Sequence, residues 1–231
     1  MMRRRLTIQD IQPLPVPPDF VQLAKQWCED QSMLLLVFVW EGYDLFQKEV
    51  LSTIPWNQSY EELERSLTQN FVPIIRRRMT GWEPFDVEHG PYEFETREQP
   101  PAQSPQYDIA FVMFGDRRIM WPIEAKILHS DGDVSKYINE INANFLKCRY
   151  APFSSEAGML GYLLKGLPNN AFTNIEAKIP CKLCAHPELP NRDHKTSEHK
   201  RTVPSGKPYS VDFRCHHLIL KIAEAVACTT S

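Results

Sequence analysis

The clearest pattern in the chain is a pair of apolar runs around Gly115-Asp116, from Gln106 to Leu128. Glycine and a polar turn former between β-rich segments predict a hairpin. In the second run Ile119, Trp121, Ile123 and Ala125 alternate with Met120, Pro122, Glu124 and Lys126. A strand therefore puts Glu124 and Lys126 on one face. A three-residue loop, Gly115-Asp116-Arg117, sets Phe114 against Arg118 and Asp108 against Glu124. A two-residue loop sets Asp108 against Ile123, and a bulge is then needed to bring the acids together.

Other stretches follow a helical period. Ser59 and Glu62 form a capping box, and Tyr60, Leu63, Leu67, Phe71, Ile74 and Ile75 recur every three or four residues up to Arg76-Arg77-Arg78. Pro73 is expected to kink this helix or split off its last turn, and Gly81 to close it. Residues 82–97 read as a strand broken near Gly90-Pro91. After the hairpin, Ser130-Asp131-Gly132-Asp133 is a turn, Val134, Tyr137, Ile138, Ile141 and Phe145 form one helical stripe, and residues 158–166 read as a strand.

Upstream, Pro13, Pro15, Pro17 and Pro18 give an extended lead-in. Asp19 caps a short helix through Phe20, Leu23, Ala24 and Trp27, and Met33–Trp40 reads as a buried strand, a helix being the alternative, ended by Gly42. Downstream, Leu218, Ile219, Ile222 and Val226 suggest a short packing helix. The pattern predicts an α/β protein: a core over 57–167 ordered helix, three strands, helix, strand, with an extension over 1–56 packed on it and a second extension over 168–231.

Composition narrows the setting. Of 231 residues, 42% are hydrophobic and 24% charged, with a net charge of −3. No segment reaches the length of a membrane span, and the basic start Met1–Arg5 lacks the apolar run of a signal peptide. A cytoplasmic protein is expected, with its six cysteines as thiols or metal ligands. The net charge gives no global attraction to nucleic acid. Between Cys181 and His217, however, seven Lys or Arg face four Asp or Glu, in a stretch holding five of the seven histidines.

An Asp on one hairpin strand, a Glu-x-Lys on the next and the surrounding order of elements resemble the core of the PD-(D/E)xK phosphodiesterases, the restriction-endonuclease-like fold. The resemblance covers about residues 57–167. It implies Asp108 and Glu124 as ligands of Mg²⁺ or Mn²⁺ and Lys126 as the catalytic lysine; Tyr107 stands where the motif has proline. The helix before the first strand often adds an acid in this family, and Glu64 lies nearest its packed face, although Glu61, Glu62 and Glu64 are equally read as solvating the helix start. Glu88 and Glu95 on the preceding strand, and Tyr137 and Glu140 on the following helix, are further candidates. Context is essential here, because Ile-Glu-Ala-Lys-Ile occurs at 123–127 and again at 175–179. The second copy follows helical spacing, with Glu176 and Lys178 on a solvated face.

Cys181-Lys-Leu-Cys184 has metal-ligand spacing, and a structural zinc held by Cys181, Cys184, His199 and Cys215 is chemically reasonable. Buried structural cysteines are the alternative. Arg192, Lys195, Lys200 and Arg201 are candidate phosphate contacts. The expected function is a Mg²⁺-dependent nuclease acting on DNA rather than RNA, an endonuclease before an exonuclease. It is expected to work with a protein partner or as a homodimer, and by analogy within a bacterial anti-phage or restriction-type defence system. The alternative, from another class, is a non-catalytic zinc-stabilised nucleic-acid-binding or scaffold protein.

Overall fold

A computed structural model describes residues 18–96 and 104–222. It is an α/β protein built on one mixed seven-stranded sheet. In chain order the elements are α1 (Pro18–Glu49), α2 (Tyr60–Arg76), β1 (Phe85–His89), β2 (Ile109–Met113), β3 (Met120–Leu128), α3 (Ser135–Glu140), β4 (Glu156–Leu163), α4 (Pro168–Glu176), β5 (Cys184–Ala185), β6 (His194–Lys200) and β7 (Asp212–Lys221). A single π-type turn, Ile141–Phe145, extends α3. The sheet order is β1-β2-β3-β4-β7-β6-β5. β3, β4 and β7 run parallel, and the other neighbours are antiparallel.

The N-terminal expectation of a short helix and then a strand is corrected: α1 is one helix of 32 residues. Its buried positions Phe20, Ala24, Trp27, Cys28, Leu35, Val39, Tyr43 and Phe46 keep three- and four-residue spacing through the apolar run, whereas Leu34 is exposed. Gly42 does not end this helix. It marks the crossing with α2, where an added Cβ would stand 2.9 Å from Ile75 Cγ1 and 3.1 Å from its Cα. The Ser59–Glu62 capping box is present, and α2 continues through Pro73 to Arg76.

The C-terminal packing helix is also corrected. Leu218 and Ile219 lie in β7, a strand between β4 and β6 and buried along most of its length. With neighbours on both sides and helices over both faces, a strand loses its polar alternation and reads like a short helix. Ile222 follows the strand, and Val226 lies outside the described residues. Pro13, Pro15 and Pro17 fall outside them as well.

Two apolar cores sandwich the sheet. On one face α1 and α2 pack over Ile109, Phe111, Trp121, Ile123, Leu160 and Leu218. On the other, α3 and α4 pack over Ala110, Val112, Met159, Cys215 and Ile219. The period-two alternation directs Glu124 and Lys126 toward the α3 side. The hairpin pairs Ile109 with Ile123 and Val112 with Met120. One rung further, Asp108 stands level with Glu124, the register of the three-residue loop. No helix among the described residues is long and apolar enough to cross a membrane.

Candidate active site

The site forms where β2 stops and β3 continues. Beyond the Ile109–Ile123 rung, β3 has no strand on its β2 side. Two carboxylates take up the backbone donors left over: Ala125 N donates to Asp108 Oδ2 at 2.8 Å, and Ile127 N donates to Glu64 Oε2 at 2.8 Å. An unpaired buried N–H is costly, so these acids complete the ladder as well as entering the site. Glu64 reaches it from the second turn of α2, and Glu140 from the end of α3.

Lys126 lies at the centre. Its ammonium is 2.9 Å from Glu124, 3.4 Å from Glu64, 3.6 Å from Asp108 and 3.9 Å from Glu140. It also donates to the carbonyl of Ala125 at 2.7 Å. Asn144, on the π-type turn, donates to Glu140 Oε2 at 2.5 Å and holds that carboxylate in place. Four acids thus converge on one cation.

This imbalance shows in the protonation behaviour. Burial pushes Glu124 well above the usual carboxylate range, the neighbouring Asp108 charge adds to this, and Lys126 opposes it. Glu64 is raised by burial against the pull of Lys126 and its bond from Ile127. Burial alone would lower Lys126, but the charges of Glu124, Asp108 and Glu64 outweigh it and keep the ammonium protonated. The hydroxyl of Tyr150 is held above the ordinary phenol value by burial and by Glu124, Glu140 and Asp108. One buried carboxylate oxygen, Glu124 Oε2, has no hydrogen-bond partner.

Backbone bonds fix Asp108 in place. Tyr107 N donates to Pro91 O at 3.0 Å, and Gly90 N donates to Asp108 O at 3.1 Å. The Tyr107 side chain is buried, donating to Glu93 Oε2 at 2.8 Å and accepting from Ala151 N at 2.9 Å. It therefore anchors the segment at the position where the resembling motif has proline.

Glu93 carries a consequence for stability. Burial raises its pKa from 4.5 to about 7. The folded protein holds this proton more tightly than the unfolded chain, so the contribution is full below pH 4.5 and is lost as pH rises through about 7. Glu93→Gln stays neutral. Its stability relative to wild type should improve by about 3 kcal/mol between those limits, as measured by denaturant unfolding across pH. A pH-independent difference would contradict a buried proton at Glu93.

Beside the cluster opens a cleft of about 450 Å³, lined by Glu64, Arg65, His89, Gly90, Gln106 and Asp108. Among the described residues no group of three or more His, Cys, Asp or Glu stands as a formed metal site. In this cluster the Lys126 ammonium lies between the acids. The residues nevertheless suit a hard cation, with several carboxylate oxygens, one of them orphaned, and an excess of negative charge.

The structure does not bring Cys181, Cys184, His199 and Cys215 together. Cys181 Sγ lies 3.7 Å from the ring nitrogens of His199 and packs against the α3–α4 core in which Cys215 is buried. Cys184 pairs with Thr196 at the sheet edge and is exposed. Register places it on the opposite face from Cys215.

The four basic candidates are similarly dispersed. Arg192 makes a two-pronged bond to Asp44 at 2.7 and 2.6 Å, Lys200 pairs with Asp212, and Lys195 lies over the Phe172 ring. Arg201 is buried, donating to the carbonyls of Ser210 and Ala151. Glu88 binds Arg117, and Glu95 accepts from Lys207 and Tyr209. The second pentapeptide lies at the end of α4, where Lys178 donates to Ser135.

One buried network carries no signal in sequence spacing. Trp40 Nε1, which can only donate, lies 3.5 Å from His194 Nδ1. His194 Nε2 therefore donates to His216 Nδ1 at 3.2 Å, and His216 Nε2 to Glu156 Oε2 at 3.3 Å. Burial, with the neighbouring histidines, lowers His194 to about 2, so it stays neutral. Burial would raise Glu156, but His216, Ser32 and Arg214 outweigh it and leave it below its ordinary value. Alternation on β4, β6 and β7 explains the juxtaposition: Thr196, Arg214 and His216 share the α1 face with Glu156.

The chain matches no protein-family model, and comparison with curated proteins and with solved structures likewise gave no match.

Proposed function

We propose that the protein is a Mg²⁺-dependent nuclease that hydrolyses phosphodiester bonds, acting on DNA before RNA. One observation carries this reading: a permanently charged lysine among four carboxylates, one with an orphaned oxygen, beside an open cleft. Structural ion pairs tend toward balance, whereas this cluster keeps surplus negative charge at a partly buried position, a common feature of functional sites.

Asp108 and Glu124 would hold the metal, with Glu64 and Glu140 at its margin. When bound, Mg²⁺ supplies charge neutralisation and lowers the pKa of water. The chain's own groups do the rest. Asp108 is held by the bond from Ala125 N and lines the cleft. Lys126 keeps its proton and acts as a fixed positive charge toward a phosphate oxygen rather than as a base. Glu64 and Asn144 restrain the neighbouring groups, which limits reorganisation during reaction.

Arg76, Arg77, Arg78, Arg117 and Arg192 are all engaged by acids. This supports recognition supplied by a partner protein or a second copy, and by analogy a place within a defence assembly against foreign DNA. Single- and double-stranded DNA and RNA incubated with Mg²⁺ or Mn²⁺ provide the test. Wild type should cleave, while Asp108→Ala should lose cleavage and retain its fold. Equal cleavage by wild type and Asp108→Ala would sink the assignment.

A further inference from the structure

Resting on the nuclease reading, a second feature concerns what the active cleft accepts. The ladder between β1 and β2 continues past both strands in the same register: Gly90 N bonds to Asp108 O, and Tyr92 bridges to Gln106. Tyr92 is therefore placed about 7 Å along the sheet from the rung of Asp108. A second cleft of about 290 Å³, lined in part by Tyr92, Phe94 and Arg117, shares His89 and Gly90 with the cleft that holds Asp108. The two clefts adjoin at these two residues.

The aromatic side chains at the second cleft are open to solvent. Tyr92 is 49% and Phe94 62% exposed, with ring centroids 6.3 Å apart and planes inclined by 48°. They present separate faces rather than packing flat on each other. Beyond the carboxylates, Tyr60, 48% exposed, sets its ring against His129 at 3.7 Å. Between the aromatic pair and Asp108, Gly90 has a φ of +69° and its carbonyl accepts from Gln106 Nε2 at 2.8 Å, an amide that a Cβ at this position would crowd.

The charges argue against a duplex track. Duplex binders depend on many free cations against phosphates. The two clefts carry Glu61, Glu64 and Glu88 against Arg65 and Arg117, and Arg117 is bound to Glu88 through two hydrogen bonds of 2.8 and 2.6 Å. Binding must draw on another source. Exposed rings supply it by stacking on bases, and only bases outside a duplex stack offer a free face. We infer that Tyr92 and Phe94 form a stacking platform for unpaired nucleobases next to the scissile phosphate, so that the substrate is a single strand, a flap or a loop.

Fluorescence anisotropy in EDTA, with 20-nucleotide DNA and RNA probes offered as single strands and as duplexes, tests this. Single strands should bind more tightly than duplexes, with a shallow salt dependence. The Tyr92→Ala, Phe94→Ala double variant should lose about 10-fold or more of that affinity with an unchanged melting temperature. Tyr92→Trp with Phe94→Trp should restore it. Whichever single strand, DNA or RNA, loses affinity in the alanine variant identifies the substrate. Duplex binding as tight as single-strand binding, or an alanine variant binding like wild type, overturns the platform. If cleavage still requires Asp108 in that case, the nuclease reading stands without it; if Asp108→Ala cleaves like wild type, the nuclease reading itself fails.

Discussion

Lys126→Ala is expected to destabilise the fold by about 3–5 kcal/mol at neutral pH and to abolish cleavage, with most of the stability returning on acidification. The ammonium is the one cation within 4 Å of four carboxylates among the described residues. It lowers the pKa of both Glu124 and Glu64, which burial and Asp108 otherwise raise. Without it these acids move further above their unfolded values. An acid raised in the folded state adds stability below its unfolded pKa, and that stability is lost as pH rises through the folded pKa. The deficit of the variant should therefore be small below the ordinary carboxylate range and large at pH 8, in denaturant unfolding measured across pH. A deficit independent of pH would mean that the lysine stem contributes packing alone.

Glu124→Gln is expected to separate stability from activity. Glu124 is 5% exposed, its Oε2 has no partner, and its charged form is opposed by burial and by Asp108. Glutamine removes the charge and keeps an acceptor for Lys126, whose contact with Glu124 is 2.9 Å. Three other acids remain to compensate the ammonium. Above neutral pH the variant should be about 1–3 kcal/mol more stable than wild type, and this gain should vanish at low pH, where Glu124 is protonated in folded and unfolded chains alike. Cleavage should fall by at least about 100-fold, since a carboxylate ligand is lost. A variant that is less stable at every pH would show Glu124 to be a structural acid. Functional sites commonly hold such unfavourable groups at a cost to stability.

Counting narrows this site to two hairpin registers, and the pairing of Ile109 with Ile123 selects one of them. The Gly115-Asp116-Arg117 loop fixes the hairpin register and so places Asp108 level with Glu124, and strand alternation sets Lys126 on the same face. Glu64 and Glu140 are candidates on helix faces, with Glu61, Glu62 and Glu64 equally read as solvating the helix start. The sequence does not show where β2 ends. That boundary decides that Asp108 and Glu64 serve as acceptors for Ala125 and Ile127, and it depends on the ladder with β1 rather than on local pattern.

The misreadings have a shared origin. Met33–Trp40 and Leu218–Ile222 are short apolar runs in which helical and strand periods are indistinguishable, and tertiary partners decide them differently. For α1 the decision comes from α2, which crosses it at Gly42 against Ile75. For β7 it comes from β4 and β6, which pair with it on both sides. The Cys181–Cys184 spacing does not show which face each thiol takes: β5 begins at Cys184 and places it on the α1 face, opposite Cys215, while the histidine network assembles from β6 and β7.

Asp108, Glu124 and Lys126 are proposed to form a metal-dependent phosphodiester-cleaving site. Asp108→Asn tests it most directly, because asparagine retains the acceptor for Ala125 N and removes only the charge. Single-turnover cleavage of a labelled DNA strand in Mn²⁺ should be robust for wild type and lost in Asp108→Asn at an unchanged melting temperature. Cleavage by Asp108→Asn at the wild-type rate, or no cleavage by wild type in either Mn²⁺ or Mg²⁺, would contradict the account.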